Sequence, residues 1–330
     1  MRATMGAIAR KAGVSLATVD RVINNREGVR DRTREVVLNA AWTLGYFGTE
    51  VVSDTMRMDF VLPAGPNSFM AQLRSHLMEE AARNDVEARL HQTVGFDPGA
   101  LSEKLSELEG VSDAVAVVAI DHPSVRDRIE TLSAGGAKVA TLVSDIPNVT
   151  KIGYVGVDNR AAGRLAGYLI GRFLHNTSRV SVAIFIGSPS YRGHEEREMG
   201  IRSILSQDYP ELSISGIQEV NDDRDRAYEE TRKLLAAGTP DAIYNIGSGN
   251  QGIALALKEA GVQRDVVFIG HDLTPATRTM LLDGTMDAVI DQNPRVEARE
   301  VVKLLISARR GTFEAEYPPR LQVIFRENLP

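Results

Sequence analysis

Polar and planar side chains recur directly after predicted strands in the larger, C-terminal part of this 330-residue chain. They are Pro66, Asn67, Ser68, Phe69, Asp145, Asp158, Asn159, Ser190, Tyr191, Arg192, Arg197, Asn250, His271, Asp272, Asp291, Gln292 and Asn293. Amide, carboxylate and guanidinium groups suit hydroxyls that both donate and accept hydrogen bonds, and an aromatic face suits the CH face of a sugar ring. Because ligands of parallel sheets bind at the carboxyl ends of the strands, these residues predict a site for a small polar molecule, in particular a sugar or polyol.

A glycine-rich loop, GSGNQG at residues 247–252, indicates an alternative ligand. It follows a predicted strand and opens a predicted helix, and Asp272 comes 20 residues after Gly252. This spacing matches the G-x-G-x-x-G fingerprint, whose glycines admit a pyrophosphate and whose acid binds a ribose. The alternative function is therefore a nicotinamide-dinucleotide-sensing repressor, although this interpretation leaves Arg197 and Gln292 unexplained.

Motifs for catalysis and metal binding are absent from the sequence. The six histidines show no metal-ligand spacing such as H-E-x-x-H, and there is no G-x-S-x-G elbow and no P-loop. We therefore predict that the chain is not an enzyme, binds no metal and needs no cofactor other than a small-molecule effector.

Apolar strands alternate with helices through the C-terminal part, which predicts doubly wound parallel sheets. The predicted strands are 58–62, 87–91, 114–119, 138–143, 152–157, 180–186, 213–220, 242–246, 266–269, 288–290 and 321–325, with helices such as 162–173, 252–259 and 296–308 between them. Eleven strands are many for one sheet of this kind, so the fold class is an α/β body of two lobes.

Three short helices are predicted in the first 47 residues, at about 5–12, 16–24 and 31–44. Thr4 and Ser15 are placed as N-caps of the first two helices, and Gly13 separates them. The predicted core of this small all-α head consists of Ile8, Ala12, Val14, Val19, Val22, Val36, Ala40 and Leu44. Two helices joined by a tight turn that contains glycine form a helix-turn-helix unit.

The second helix of such a unit enters the major groove with its N-terminal residues at the base edges. The residues at this position are Leu16, Ala17, Thr18 and Arg21, and the further DNA-binding candidates are Thr4, Ser15, Asn24 and Arg30. Arg21 can donate two hydrogen bonds to guanine, and the hydroxyls of Ser15 and Thr18 can bind phosphate.

Charge is distributed unevenly along the chain. Residues 1–47 contain eight Lys and Arg against four acids, a net charge of +4, whereas the whole chain carries −6. A basic head on an acidic body indicates a polyanionic partner for the head alone. The sequence has no cysteine, no apolar segment of signal-peptide length at its start and no run of 18 apolar residues, so we expect a cytoplasmic protein.

The head resembles the lactose repressor family of bacterial regulators. The matching segments are IARKAGVS at 8–15, ATV at 17–19, RVIN at 21–24, TREVV at 33–37 and LGY at 44–46. The resemblance implies a homodimer that binds a pseudo-palindromic operator in double-stranded DNA. Asp20 stands where the family usually has Ser, and Ala7 where an acid is usual. The linker at 48–57 lacks the Pro-Asn pair and the Leu wedge by which the family bends DNA, so Val51 or Val52 would have to serve as the wedge if this linker is more than a spacer.

The body, residues 58–330, resembles the periplasmic sugar-binding-protein fold of the ribose-binding type. The resemblance implies one lobe at about 58–157 and 293–318, a second at about 158–292 and 319–330, and a ligand between them that closes the lobes. By resemblance, Phe69 stacks on the ring and Arg197, Asn250, Asp272 and Gln292 bind hydroxyls, with Asn67 and Asp145 also at the site. Ser68 and Met70 depart from the usual Pro and second aromatic residue, which leaves the size of the ligand open.

Overall fold

The structure is a computed structural model that describes residues 4–23, 28–29, 31–44, 46, 56–175, 179–312 and 319–330. The DNA-binding candidates Asn24 and Arg30 lie outside the described residues, as does most of the 48–57 linker. The chain forms two compact units, Met1–Asp54 and Thr55–Pro330.

The part of the head that the structure describes forms three helices, α1 (Met5–Ala12), α2 (Leu16–Ile23) and α3 (Asp31–Thr43). The Thr4 side chain caps α1 by accepting a hydrogen bond from the Ala7 N–H at 3.3 Å. Gly13 ends α1 in the left-handed conformation at φ 67°, which glycine adopts without steric cost. Ser15 Oγ then accepts from the Thr18 N–H at 3.2 Å, so that α2 begins one short turn after α1 ends.

The head core includes Ile8, Val19, Val22, Val37, Ala40 and Ala41. The prediction that Val36 belongs to this core is wrong, because its side chain is 44% exposed whereas that of Val37 is fully buried. Positions 37, 40, 41 and 44 form an i, i+3, i+4, i+7 stripe, which is the apolar face that α3 turns toward α1 and α2.

The described residues of the body form eleven strands in two sheets, and eleven strands were predicted. The strands are β1 (Arg57–Pro63), β2 (Glu87–Thr93), β3 (Ala114–Val117), β4 (Lys138–Leu142), β5 (Gly153–Val155), β6 (Val180–Ile186), β7 (Leu212–Glu219), β8 (Ala242–Asn245), β9 (Val267–His271), β10 (Ala288–Asp291) and β11 (Gln322–Ile324). The first sheet has the order β2-β1-β3-β4-β5 and is parallel. The second has the order β11-β10-β9-β8-β6-β7 and is parallel except for β11, which pairs antiparallel with β10. The two-lobed α/β fold class is thereby confirmed.

Nine helices of the body lie among these strands in the described residues. They are α4 (Ser68–Arg83), α5 (Pro98–Glu107), α6 (Pro123–Ala134), α7 (Asn159–Phe173), α8 (Arg192–Asp208), α9 (Arg224–Ala237), α10 (Asn250–Glu259), α11 (Pro275–Asp283) and α12 (Pro294–Arg310). None of the described helices has the length and apolar character that a membrane span requires.

The chain passes between the lobes three times. It leaves the first sheet after β5, and α7 then packs on α8 in the second lobe. After β10 it returns, so that α12 packs against α4 and the first sheet, and β11 finally joins the second sheet. The strand order reverses between β1 and β3 in the first sheet and between β6 and β8 in the second. In open parallel sheets, ligands bind at the carboxyl ends of the strands where the order reverses.

Candidate functional site

A cavity of about 320 Å³ lies between the lobes, where the loops after β1, β3, β6 and β8 meet. Its lining residues are Pro63, Ala64, Gly65, Pro66, Asn67, Phe69, Met70, Gly95, Phe96, Val118, Val143, Ser144, Asn159, Tyr191, Gly193, His194, Arg197, Asn221, Asp222, Gly247, Ser248, Asp272 and Gln292. Five of the seven predicted ligand residues are among them, namely Asn67, Phe69, Arg197, Asp272 and Gln292. This volume falls at the small end of ligand pockets and suits a molecule of monosaccharide size.

The first-lobe wall is built at the start of α4. Asn67 caps this helix by accepting from the backbone N–H groups of Phe69 at 3.0 Å and Met70 at 3.3 Å. The cap fixes the first turn, which holds the buried side chains of Phe69 and Met70 against the cavity.

The second-lobe wall centres on Arg197 of α8, which is only 4% exposed. Its Nε donates to Asn159 Oδ1 at 2.8 Å, and its Nη1 donates to the Ile246 carbonyl at 2.8 Å. Asn159 is the first residue of α7 and lines the same cavity. The guanidinium group is therefore fixed by two elements before any ligand arrives, which lowers the entropic cost of binding.

Glycines hold α7 and α8 at the distance that this contact needs. A Cβ atom at Gly163 would lie 1.9 Å from the Arg197 carbonyl oxygen, and one at Gly200 would lie 2.2 Å from that of Arg160. The helix backbones therefore cross in direct contact, and this crossing aligns Asn159 with Arg197.

Asp272 and Gln292 meet at the floor of the cavity. Gln292 Nε2 donates to Asp272 Oδ1 at 2.8 Å, while Gln292 Oε1 is buried without a hydrogen-bond partner among the described residues. Burial raises the pKa of Asp272 to about 7, and the charge of Arg197 and the Gln292 hydrogen bond oppose that rise.

Asp222 and His194 also line the cavity, and neither was predicted from the sequence. Asp222 Oδ1 accepts from the Ser248 N–H at 2.8 Å, and burial lowers the pKa of His194. A Cβ atom at Gly187 or Gly247 would approach Asp222 Oδ1 to 2.2 or 2.3 Å, so these glycines make room for the carboxylate. The polar run around Asn221 and Asp222 is typical of an exposed turn, which is why the sequence carried no signal for it.

Asn250 does not line this cavity. It faces a second cavity of about 200 Å³ at the start of α10, which shares Asn67, Phe69, Asp222, Gly247, Ser248 and Asp272 with the first. Its Nδ2 donates to the His271 carbonyl at 3.1 Å, and its Oδ1 accepts from Asn245 Nδ2 at 2.8 Å. The amide thereby joins β8, β9 and α10. Its predicted hydroxyl-binding role stays a prediction.

Asp145 lies outside both cavities, contrary to its predicted place in the site. Its Oδ1 accepts from Thr141 Oγ1 at 2.6 Å and pairs with Lys151 Nζ at 3.2 Å. The preceding residues, Val143 and Ser144, face the cavity instead. Val143 has a φ of 64°, and this left-handed turn after β4 changes the direction of the chain before Asp145.

The lobes are in contact across the cleft. Asn67 Nδ2 donates to Asp222 Oδ2 at 3.3 Å, and Gln72 Nε2 donates to the Leu273 carbonyl at 3.4 Å. The ring centroids of Phe96 and Tyr191 lie 4.9 Å apart. This is a closed arrangement in which each lobe supplies polar groups to one cavity.

Local contacts and backbone conformation explain why the GSGNQG loop has glycine at positions 247, 249 and 252. Gly247 accommodates Asp222, and Gly249 precedes α10 with a φ of 105°. A Cβ atom at Gly252 would lie 2.0 Å from the Arg224 carbonyl oxygen, so this glycine permits the close packing of α9 and α10. The fingerprint is therefore explained by packing, and no pyrophosphate is needed to account for it.

Glu297 of α12 is a buried carboxyl group behind the cavity. It is fully buried, and neither carboxyl oxygen has a hydrogen-bond partner among the described residues. Burial and the neighbouring charge of Asp272 raise the pKa of Glu297 well above its usual value. A group with a raised pKa stabilises the fold below its unfolded-state pKa, and this stability is lost as the pH rises through the folded-state pKa.

We expect Glu297→Gln to gain thermal stability relative to the parent protein as the pH rises from 5 to 8, because glutamine cannot ionise. Unfolding temperatures measured at several pH values test this, with the exposed Glu103→Gln as the control. A difference between Glu297→Gln and the parent that stays constant with pH would show that folding does not raise the pKa of Glu297.

The head presents one exposed face on α2. Leu16 is 55% exposed, and Ala17 and Arg21 are exposed beside it. Ser15 Oγ and Thr18 Oγ1 lie 2.9 Å apart at the start of the helix. These are the side chains that a helix-turn-helix unit directs at base edges and phosphates. In the described residues, no group of three or more His, Asp and Glu side chains is placed to hold a metal ion.

Two family models match the chain. That of the periplasmic binding protein domain matches residues 58–312, and that of bacterial regulatory proteins of the lacI family matches residues 4–48. The boundary between the two matches falls in the predicted linker.

Curated relatives match this chain over most of its length and of their own. The HTH-type transcriptional regulator DegA of Bacillus subtilis (strain 168) is 25% identical over 287 residues, covering 83% of this chain and 82% of DegA. The ribose operon repressor of the same organism is 27% identical over 289 residues, covering 83% of this chain and 82% of the repressor. Among solved structures, GanP, a glucose-galactose binding protein from Geobacillus stearothermophilus, has a TM-score of 0.77 at 21% identity, covering 84% of this chain and 99% of GanP. The structural similarity to GanP shows that the body has the same fold as that protein.

Proposed function

The chain belongs to the lacI family of bacterial regulatory proteins, and from this premise we propose that it is a transcription repressor whose cleft binds a sugar or polyol. The observation that carries the proposal is that Arg197, Asp272, Gln292 and the Phe69 ring line one cavity between the lobes. Donors and acceptors in this density suit a polyhydroxylated ligand, since an apolar one would leave buried polar groups unpaired at about 1–3 kcal/mol each.

The proposal includes the partners and the location. The chain acts in the cytoplasm as a homodimer, because two symmetric heads read a pseudo-palindromic operator in double-stranded DNA. The ribose operon repressor and GanP are both named for sugars, which supports a sugar-type effector for this chain. The effector changes operator affinity by binding one arrangement of the lobes more tightly than the other. The chain carries out no catalysis and uses no cofactor.

A thermal-shift screen of sugars, polyols and nicotinamide dinucleotides tests the effector class. We expect stabilisation by members of the first two classes and none by the dinucleotides. The full chain is then used to select operators from a random DNA library. Tight NADH binding that Asp272→Ala abolishes would contradict the sugar proposal.

Replacement of Arg21 by alanine should weaken operator binding by about 1–3 kcal/mol and relax the preference at one base position of each half-site. The physical reason is that Arg21, exposed on α2, can bind guanine through two hydrogen bonds. Selection from a random library followed by titration of the selected sites measures both effects. Arg202→Ala, an exposed change on α8, is the control, and an unchanged affinity and site preference in Arg21→Ala would show that another residue reads the base.

A further inference from the structure

The ionisable groups that line the main cavity do not balance once both of its aspartates are ionised. Asp222 and Asp272 both line it, and Arg197 is the one guanidinium among the described residues at its wall. Burial lowers the pKa of His194, which favours the neutral imidazole, although the charge of Asp222 opposes this. Arg224 lines only the outer, second cavity and is exposed, where water and salt screen its charge. When both aspartates are ionised, the cavity holds one negative charge in excess, and buried charges are normally paired.

The Asp222 carboxylate is held by neutral donors. Oδ1 accepts from the Ser248 N–H at 2.8 Å, and Oδ2 accepts from Asn67 Nδ2 of the opposite lobe at 3.3 Å. Room for it is made by Gly187 and Gly247, where a Cβ atom would lie within 2.3 Å of Oδ1. The carboxylate is thus fixed toward the cavity by groups that carry no positive charge.

A third acceptor lines the same cavity and is bonded to one of the two aspartates, Asp272. Gln292 is 2% exposed and lines the cavity, and its Oε1 has no partner among the described residues. When Asp272 is ionised its carboxylate only accepts, so the hydrogen bond from Gln292 Nε2 to Asp272 Oδ1 leaves Oε1 as the atom without a partner. Three acceptors match the three N–H groups of an ammonium ion, whereas a neutral hydroxyl offers one donor.

The apolar walls are compatible with a cation. Phe69, Phe96 and Tyr191 line the cavity, and the last two rings lie 4.9 Å apart. Aromatic faces attract ammonium groups when water is excluded. Aromatic faces also suit the CH face of a sugar ring. A hydroxylated amine can therefore contact the aromatic rings with its CH face and the acidic groups with its ammonium group.

We propose that the effector is a hydroxylated amine, such as an amino sugar or an aminocyclitol, whose ammonium group binds among Asp222, Asp272 and Gln292. This inference rests on the proposed function, since it refines the class of ligand for the same cleft. In this proposal Arg197 keeps the role of donating hydrogen bonds to the hydroxyls of the ligand.

The pKa of Asp272 supports this arrangement. Burial raises it to about 7, and the charge of Asp222 adds to the rise. An ammonium group nearby lowers it again, so that Asp272 gives up its proton when the amine binds at pH 6 to 7. Calorimetry in buffers of different ionisation enthalpy should record this proton release.

The experiment compares matched ligands on the full chain. Glucosamine, galactosamine and mannosamine are each titrated beside the parent hexose and the neutral N-acetyl derivative, together with an aminocyclitol and its parent cyclitol. We expect at least one amine to bind ten times or more tighter than both of its neutral counterparts. The variant Asp222→Asn should remove this preference, because asparagine keeps the shape and the left-handed backbone at φ 54° but carries no charge. Asp145→Asn, outside both cavities, should keep it.

The outcomes are separable. Neutral hexoses or cyclitols that bind as tightly as their amines overturn the inference and leave the proposed sugar sensor standing. A cleft that binds none of these compounds overturns the inference, and the sugar sensor falls as well only if the thermal-shift screen of sugars and polyols also finds no ligand. The unliganded protein supplies a second measurement, since Asp222→Asn relieves repulsion with Asp272 and should raise the unfolding temperature above pH 7. A fall in that temperature would contradict the excess of negative charge.

Discussion

Replacement of Gly163 by alanine should destabilise the body by about 3 kcal/mol and abolish the response to the effector. The new methyl group would meet the Arg197 carbonyl oxygen at 1.9 Å, and no side-chain rotation relieves a clash between two helix backbones. Helices α7 and α8 must therefore separate, which pulls Arg197 Nε away from Asn159 Oδ1, now 2.8 Å distant. For the unit Thr55–Pro330, the loss corresponds to a fall in unfolding temperature of roughly 5 °C.

Differential scanning calorimetry and effector titration of Gly163→Ala measure the two effects separately. Gly6→Ala is the matched control, because Gly6 is also helical and a Cβ atom there meets nothing closer than 3.8 Å. That change should leave the unfolding of the body unaltered and favour α1 by about 1 kcal/mol, the helix-propensity difference between the two residues. A Gly163→Ala protein with parental stability and effector affinity would show that the crossing does not fix Arg197.

The fold was predictable from the sequence because its signals are local. Alternating apolar strands and helices indicated the two-lobed class, and Gly13 and Ser15 marked the turn between α1 and α2. The error at Val36 has a simple cause, since two adjacent valines of equal hydrophobicity leave the rotation of α3 undetermined. Only the packing of α3 on α1 and α2 decides that Val37 faces inward.

The site was predictable only in part, because a position after a strand places a residue at the sheet edge without giving the direction of its side chain. Arg197, Asp272 and Gln292 line the cavity, whereas Asp145 turns to Lys151. Asp222 depends on Gly187 and Gly247, which lie in loops distant along the chain. A local sequence pattern cannot predict this contact, because it depends on three loops that are far apart along the chain.

Replacement of Arg197 by alanine should weaken effector binding by tenfold or more while ligand-free operator binding persists. The change leaves Asn159 Oδ1 and the Ile246 carbonyl without their buried donor, at about 1–3 kcal/mol each, and it also removes the hydrogen bonds that the guanidinium group would donate to the ligand. The cation that opposes the rise in the pKa of Asp272, which is about 7 in the parent protein, disappears as well. Asp272 should then stay protonated to higher pH, so effector affinity should vary with pH over a higher range than in the parent.

Arg197→Lys separates the charge from the geometry. Lysine keeps a cation near Asp272 but lacks the planar fork that reaches Asn159 and Ile246 together, so we expect the parental pH dependence with reduced affinity. Arg202→Ala is the control on the same helix, because that side chain is exposed, pairs with Glu198 and does not line the cavity. Calorimetric titration of the effector from pH 5.5 to 8.5, with operator binding measured in parallel, gives all three results. Parental effector affinity in both Arg197 variants would place the ligand elsewhere in the body. Loss of ligand-free operator binding in either variant would show that Arg197 serves the fold as a whole and not the cleft alone.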